Sequence, residues 1–274
     1  MEGTLDILRK MTDDIPLGKA ATGKMAFSPT YYDSHAGVLC LLLEHYGVPD
    51  QIVPAHREVA RLCGTKYSAL DETMRRIDLP RRRRALDLGC AVGGGVFRLR
   101  HYFDQAVGVD LSPPLLAQAR TLQRTRETSI TWPEKGGDRP QTYFIRLPAD
   151  AVTEATEFIH GDLCALPANL GVFDLVTIEK VLECLPDPQS FFAQIPGLVA
   201  PGGYFMHISS YRWSHEFTPM EKQLGTPAQV PAQIDELLGH NFSLEHRFNT
   251  PFILESNYTW LSFGVAETLL WKRR

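Results

Sequence analysis

A doubly wound α/β fold is predicted for this chain, with a mostly parallel sheet and an N-terminal helical cap. Three observations carry that prediction. Ala85-Leu86-Asp87-Leu88 reads as a buried strand running straight into a glycine loop, Gly89-Cys90-Ala91-Val92-Gly93-Gly94-Gly95. A second apolar strand, Ala106-Val107-Gly108-Val109, ends in an acid, Asp110. Downstream, apolar runs keep alternating with helical patterns, as expected for a parallel sheet covered on both faces.

Residues 1–80 are read as the cap. Tyr31 to Tyr46 carries Val38, Leu39, Leu42 and Leu43 on one helical face, and Gly47-Val48-Pro49 stops it. Arg57 to Ile77 is a second helical zone, broken near Gly64. Both precede the first core strand, which places them over its carboxyl edge. Residues 81–274 form the sheet domain. Strand one is Ala85 to Gly89, and Gly94 to Tyr102 is its helix. Strand two is Ala106 to Asp110, followed by a helix from Pro113 to Arg124 with Ser112 as cap and proline in the first turn. Glu157 to Ile159 is strand three, ending at Gly161-Asp162, and Phe173 to Glu179 is strand four. A helix from Phe191 to Val199 leads through Pro201-Gly202-Gly203 into strand five, Gly203 to Ile208. Phe242 to Phe248 and Val265 to Lys272 are the last strands. Two insertions break the rhythm. Residues 128–155 contain a hairpin, Ile130-Thr131-Trp132 against Thr142 to Ile145, around Lys135-Gly136-Gly137-Asp138. Residues 211–238 are rich in aromatic and charged side chains.

Composition narrows the function classes. The 274 residues are 44% hydrophobic, enough for a large core, and the net charge of -4 argues against a surface that coats nucleic acid. Arg81 to Arg84 is the exception; a solvated entry on the sheet's amino edge explains it better than a phosphate contact. The five cysteines are scattered with no C-x-x-C pair, so neither a metal site nor a disulfide framework is expected. No apolar run follows a basic start, and none approaches the roughly 20 residues of a membrane span. The expectation is a cytoplasmic protein with no metal, nucleic-acid or membrane partner.

The loop after strand one is D-x-G-x-x-x-G, not the G-x-G-x-x-G that cradles a pyrophosphate. It opens with Asp87, which suits a ligand carrying a cation. It resembles motif I of class I S-adenosylmethionine-dependent methyltransferases, with a Rossmann-like sheet. That resemblance places Gly89, Cys90, Ala91 and Gly93 along the cofactor, with Asp110 on the ribose hydroxyls and Leu111 against the adenine. Asp162, within Gly161-Asp162-Leu163, accepts from the adenine amino group, and Glu179 closes the crevice at strand four. The expected cofactor is S-adenosyl-L-methionine, leaving as S-adenosyl-L-homocysteine. The segment after strand four lacks the N/D-P-P-Y/F/W motif of enzymes that methylate nitrogens of nucleic acids and proteins.

Several blocks point further. They are Ala85 to Gly93, Ser209 to Gly225 (S-S-Y-R-W-S-H-E-F-T-P-M-E-K-Q-L-G), Pro251 to Glu255, Val265 to Arg273, and the zone ending Glu44-His45-Tyr46-Gly47. Together they resemble the 5-mercaptohistidine N-methyltransferase family of ovothiol biosynthesis, usually the C-terminal domain of a fused ovothiol synthase. Gly94-Gly95-Val96 and Glu179-Lys180 depart from that family's pattern. The resemblance implies methyl transfer to a ring nitrogen of 5-thiohistidine. It also implies a separate iron-dependent sulfoxide synthase, because that portion is absent from this sequence. An amino-acid substrate needs anchors at both charges. Arg212 suits the carboxylate. Glu179, Glu183 or Glu216 suits the ammonium or serves as base. Tyr211, Tyr31, Tyr32 and Asn257 suit the imidazole. His207 and His215 are further bases, although His207 lies in an apolar strand and reads better as structural. Trp213 and Phe217 fold the segment onto the core. Two other readings stay open: a methyltransferase of another small amine, imidazole, thiol or selenol, and a non-catalytic regulatory subunit.

Overall fold

The computed structural model describes residues 30–47, 68–133, 140–257 and 260–274. Helix α1 (His35–Tyr46) and helix α2 (Ser68–Arg76) precede strand β1 (Arg84–Leu88). Then come α3 (Gly94–Leu99), β2 (Gln105–Asp110), α4 (Pro113–Thr125) and the hairpin β3 (Glu127–Pro133) with β4 (Pro140–Arg146). After these follow β5 (Thr156–His160), β6 (Phe173–Glu179), α5 (Pro188–Leu198), β7 (Val199–Ser209), α6 (Val230–Leu238), β8 (Phe242–Asn257) and β9 (Trp260–Arg273).

One sheet has the order β5-β2-β1-β6-β7-β9-β8. Its first five strands are parallel, and β9 runs antiparallel to both β7 and β8. The chain leaves β1 toward β2 and β5 on one side and later toward β6 and β7 on the other. That reversal opens a crevice beyond the carboxyl ends of β1 and β6. The central strands are buried on both faces, which is why they read as nearly continuous apolar runs. One face packs Ala85, Ala106 and Leu175 under α1, α2, α3 and α4. The other packs Leu86, Val107 and Val176 under α5 and α6, with Phe191, Phe192, Phe205 and Trp271 at its centre.

Local chemistry explains the element boundaries. Ser112 Oγ accepts from Leu115 N at 3.4 Å at the start of α4, and Pro113 fills the first turn. Helix α5 begins at Pro188, earlier than expected, because Asp187 Oδ1 accepts from Ser190 N at 3.2 Å. The expected helix over Tyr31–Tyr46 starts later, at His35: Ser34 Oγ caps it from Gly37 N at 3.1 Å, leaving Tyr31 and Tyr32 in the preceding turn. Of the expected helical zone Arg57–Ile77, only Ser68–Arg76 is described as helix; its break near Gly64 lies outside the described residues, as does the Lys135-Gly136-Gly137-Asp138 turn. The last third of the second expected insertion is regular structure: α6 packs against α5, and the rest is a loop over 210–229 with a short 3-10 turn at Met220–Lys222.

The N-terminal helices take different places. Helix α1 lies against the glycine loop and the hairpin, with His35 Nε2 3.1 Å from Thr131 O. Helix α2 lies beside α3 rather than at the carboxyl edge. Asp71 takes two bonds from Arg98, at 2.9 and 2.7 Å, and one from Tyr102 Oη at 2.7 Å. The arginine run sits at the amino edge. Arg84 is consumed there: Nε donates to Gln105 Oε1 at 2.9 Å, and the guanidinium lies 4.3 Å from the centre of the Phe173 ring. Among the described residues, no helix is long and apolar enough to cross a membrane.

His207, at the centre of β7, is fully buried among Phe192, Tyr211 and Trp271, and neither ring nitrogen has a hydrogen-bond partner among the described residues. Burial lowers its pKa from 6.5 to about 3. Above pH ~6.5 the ring is neutral in the folded and unfolded chain and adds nothing to the pH dependence. As the pH falls toward 3, the unfolded chain takes the proton first, so this residue removes about 1.4 kcal/mol of stability per pH unit. His207→Phe fits the aromatic surroundings. Urea unfolding from pH 7 to 4 is expected to show a shallower loss of stability for this variant than for the parent.

Candidate active site

The glycine loop is folded back onto β2. The N–H groups of Gly89 and Cys90 both donate to Val109 O, at 2.8 and 3.1 Å. Gly89 (φ +76°), Ala91 (φ +48°) and Gly93 (φ +87°) adopt left-handed conformations that reverse the chain within a few residues. At Gly93 the requirement is double, since a Cβ would also lie 2.7 Å from the Phe158 ring. Ala91 holds the same region at a cost of about 1–2 kcal/mol, offset by its N–H bond to Asp110 Oδ2 at 2.7 Å. The Asp87 carboxylate lies against the first turn of α3: a Cβ on Gly95 would fall 2.3 Å from Asp87 Oδ2. Thr177 Oγ1 donates to Asp87 Oδ1 at 2.9 Å and fixes its orientation.

Helix α1 locks the loop from above. Tyr46 Oη donates to Val92 O at 2.7 Å, and Gly94 N donates to His45 Nδ1 at 3.2 Å. Cys90, expected along the cofactor, packs against Gly108 of β2. It is buried, and burial pushes its thiol pKa well up, so it serves packing and not chemistry.

Asp110 ends β2. Its two oxygens accept from Ala91 N at 2.7 Å and Ser112 N at 2.9 Å. Burial raises its pKa, opposed by the N–H groups of Ser112, Ala91 and Leu111. An ionised carboxylate offers about four acceptor positions, so about two remain for a vicinal diol. The next residue, Leu111, is 60% exposed although apolar, a platform for a flat ring. Gly161 N donates to Asp110 O at 3.0 Å, which brings the end of β5 alongside. There Asp162 is exposed, with Oδ1 on Cys164 N at 2.8 Å, and Leu163 is buried behind it. Asp87, Asp110, Leu111 and Asp162 thus follow the edge in the order that an adenosine joined to a cationic amino acid requires.

The other side of the crevice begins where β6 ends. Glu179 is half-buried, and Lys180 takes φ +54°, with its N–H on Ile208 O at 2.8 Å. Lys180 Nζ is 3.3 Å from Glu44 Oε1. Burial pulls the Lys180 pKa down, but the Glu44 and Glu179 carboxylates outweigh it and the ammonium is retained. Tyr32 Oη lies 3.8 Å from Cys184 Sγ, and burial raises the pKa of both groups, that of Cys184 to about 11. Glu183, the residue before Cys184, is buried on a short 3-10 turn (Leu182–Cys184).

The remaining expected substrate residues are dispersed. Tyr211 turns into the core: its ring stacks on His207 at 5.8 Å, and its hydroxyl donates to Glu267 Oε2 at 2.8 Å, so it braces β7 against β9. Arg212 and Glu216 are exposed on the following loop and make no ion pair or hydrogen bond among the described residues. His215 is exposed, 3.4 Å from Gln223 Nε2. Asn257 ends β8, and its side chain lies outside the described residues. Trp213 and Phe217 do secure the loop. Trp213 Nε1 donates to Gly225 O at 3.0 Å, the Phe217 ring is 6.0 Å from Tyr32, and Thr218 Oγ1 donates to the carbonyls of Glu183 and Leu185 at 3.1 and 2.7 Å. The groups that sequence reasoning missed are Lys180 and the α1 residues Glu44, His45 and Tyr46. The run Glu44-His45-Tyr46-Gly47 and the departing pair Glu179-Lys180 were their only traces. Among the described residues, no group of three or more His, Cys, Asp or Glu is placed to hold a metal ion.

Comparison with known proteins agrees with this geometry. Residues 86–207 match the family described as "Methyltransferase domain". A ubiquinone biosynthesis O-methyltransferase of Methylococcus capsulatus is 31% identical over 123 residues, which cover 44% of this chain and 40% of that protein. The match therefore spans less than half of that relative's length. Among solved structures, magnesium protoporphyrin IX methyltransferase from Synechocystis PCC 6803 with bound SAM superposes with a TM-score of 0.53 at 17% identity, over 89% of this chain and 94% of that one. The YcgJ protein of Bacillus subtilis gives 0.52 at 12% identity, over 76% and 98%. The fold is that of class I methyltransferases, and the cofactor of the domain is S-adenosylmethionine.

Asp110→Ala removes the acceptor of two backbone N–H groups and the carboxylate expected to hold the ribose. Titration calorimetry with S-adenosylhomocysteine is expected to show affinity about tenfold to a hundredfold weaker than the parent, the scale of hydrogen bonds to a charged group.

Proposed function

We propose that the S-adenosylmethionine-dependent methyltransferase domain of this chain methylates an imidazole ring nitrogen of 5-thiohistidine, giving ovothiol A. One observation carries the substrate class. The substrate side of the crevice is walled by groups of both charges, the Lys180 ammonium and the Glu183 carboxylate, with the Tyr32 hydroxyl beside them. A zwitterionic amino acid with a polar ring matches such a wall; a quinone or a long apolar chain does not. The blocks that resemble the 5-mercaptohistidine family also supply working parts of the site, since Glu44, His45 and Tyr46 hold Lys180 and the glycine loop.

The cofactor supplies a methyl group already activated on a sulfonium, so the protein's task is alignment and exclusion of water. Lys180, not the exposed Arg212, is the cation suited to the substrate carboxylate. Tyr32 keeps its hydroxyl proton far above neutral pH and acts as a hydrogen-bond donor. A thiolated imidazole tends to hold its negative charge on sulfur and a proton on the ring, so the attacking nitrogen must shed that proton to a carboxylate or to water. Glu179, at the carboxyl end of β6, is the carboxylate assigned this role. A separate iron-dependent sulfoxide synthase would provide the sulfur-bearing substrate. Cys90, Cys164 and Cys184 form no disulfide among the described residues, which supports a cytoplasmic setting.

The relative that acts in ubiquinone biosynthesis suggests phenol O-methylation as a second reading. Its match covers only 44% of this chain and 40% of that protein, which leaves the acceptor open. Mass spectrometry after incubation with S-adenosylmethionine separates the two. One added methyl on reduced 5-thiohistidine, and none on histidine or a catechol, is expected. A methylated catechol, or no product while S-adenosylhomocysteine still binds, contradicts the assignment.

A further inference from the structure

Glu183 carries a buried acceptor atom that the fold leaves unused. The residue is 6% exposed and stands just past the carboxyl end of β6, on the edge that flanks the crevice. Its Oε1 is fully engaged: Ser209 Oγ donates at 2.5 Å, Ser210 N at 3.1 Å and Ser210 Oγ at 3.4 Å. Its backbone carbonyl accepts from Thr218 Oγ1 at 3.1 Å. Both ends of the residue are therefore clamped, by the end of β7 and by the following loop. Oε2 is buried with no partner among the described residues. A buried carboxylate oxygen without a donor is unfavourable, and native proteins rarely leave one unmatched. The bonds from Ser209 and Ser210 account for Oε1 alone, and nothing in the fold accounts for Oε2.

We propose that Glu183 Oε2 is the acceptor for a nitrogen of the methyl-accepting substrate, either a cationic ammonium or a ring N–H. The inference rests on the amino-acid reading above and deepens it by naming the contact. An ionised carboxylate only accepts hydrogen bonds, so its partner must be a donor, and a positive one gains most in a buried site. The groups around it belong to the substrate side. Cys184 follows it in the chain and lies 3.8 Å from the Tyr32 hydroxyl, Ser209 ends β7 with Ser210 just past it, and Lys180 feels its charge. The acidic residues read as cofactor contacts, Asp87, Asp110 and Asp162, stand instead near the carboxyl ends of β1, β2 and β5. Glu183 is thus a specificity-determining residue that favours acceptors with a cationic N–H over neutral phenols, whose O–H donates without the charge.

Glu183→Gln tests this directly. The amide keeps an oxygen for Ser209 and Ser210 but replaces Oε2 with a donor. Expected are S-adenosylhomocysteine affinity within about twofold of the parent, an unchanged or higher melting temperature, and kcat/KM for 5-thiohistidine lower by about tenfold to a hundredfold. A merely structural carboxylate would instead lower the melting temperature, and a cofactor ligand would weaken S-adenosylhomocysteine binding; either result overturns the proposal, as does unchanged kcat/KM. If the parent does not methylate 5-thiohistidine, the ovothiol reading fails alone, and the same comparison is run on histamine, histidine, simple amines and catechol. An N–H acceptor methylated by the parent and lost in Glu183→Gln upholds the contact. Turnover of catechol only, or no binding or turnover of any compound, overturns it.

Discussion

The structure depends on one carboxylate holding two turns together. Asp110 accepts from Ala91 in the glycine loop after β1 and from Ser112 at the start of α4. Those bonds tie the two loops that border the crevice into a single edge. They also stabilise Ala91 in a backbone conformation that alanine otherwise avoids. Burial favours the neutral acid, and the backbone N–H groups favour the anion. The balance yields an acceptor that is rigid and already in place before a diol arrives, which is how a small set of polar groups gives a concave site its orientation.

The second level of organisation is the clamp around the substrate side. From the N-terminal side, Glu44 reaches Lys180 and Tyr32 reaches Cys184. From the C-terminal side, Ser209, Ser210 and Thr218 hold Glu183. The short stretch after β6 is therefore gripped by α1 and by the loop after β7 at once. Its charged groups are held by partners rather than left to solvent, so their positions are set by the fold. The same arrangement limits what binds, because buried acceptors and donors penalise any ligand that cannot match them.

Much of this was legible in the sequence, and the parts that were not share a cause. The strands around the switch point are buried on both faces, so their apolar runs stand out, and the loop and Asp110 form a contiguous motif. The observed sheet is the mostly parallel, doubly wound one expected. Helix α5 was placed too late because its cap and first-turn proline, Asp187 and Pro188, looked like a loop. Strand β8 runs on through Pro251 to Asn257, well past Phe248. It is an edge strand, where a proline costs no ladder bond on its open side, and β9 pairs with it throughout. The substrate side was read least well. Glu44 and Lys180 are 136 residues apart, and Tyr32 and Cys184 are 152 apart, so no local pattern announces them. Tyr211 and Arg212 are neighbours, yet the left-handed backbone at Tyr211 sends its ring into the core and leaves Arg212 on the surface. A chain reversal of that kind is invisible to residue type.

The most direct test is a crystal structure of the protein with S-adenosylhomocysteine and 5-thiohistidine bound together. The account predicts the ribose hydroxyls on Asp110, the adenine over Leu111, and a substrate nitrogen within hydrogen-bond distance of Glu183 Oε2. A nucleoside bound away from Asp110, or a substrate whose nitrogens all face away from Glu183, would contradict it.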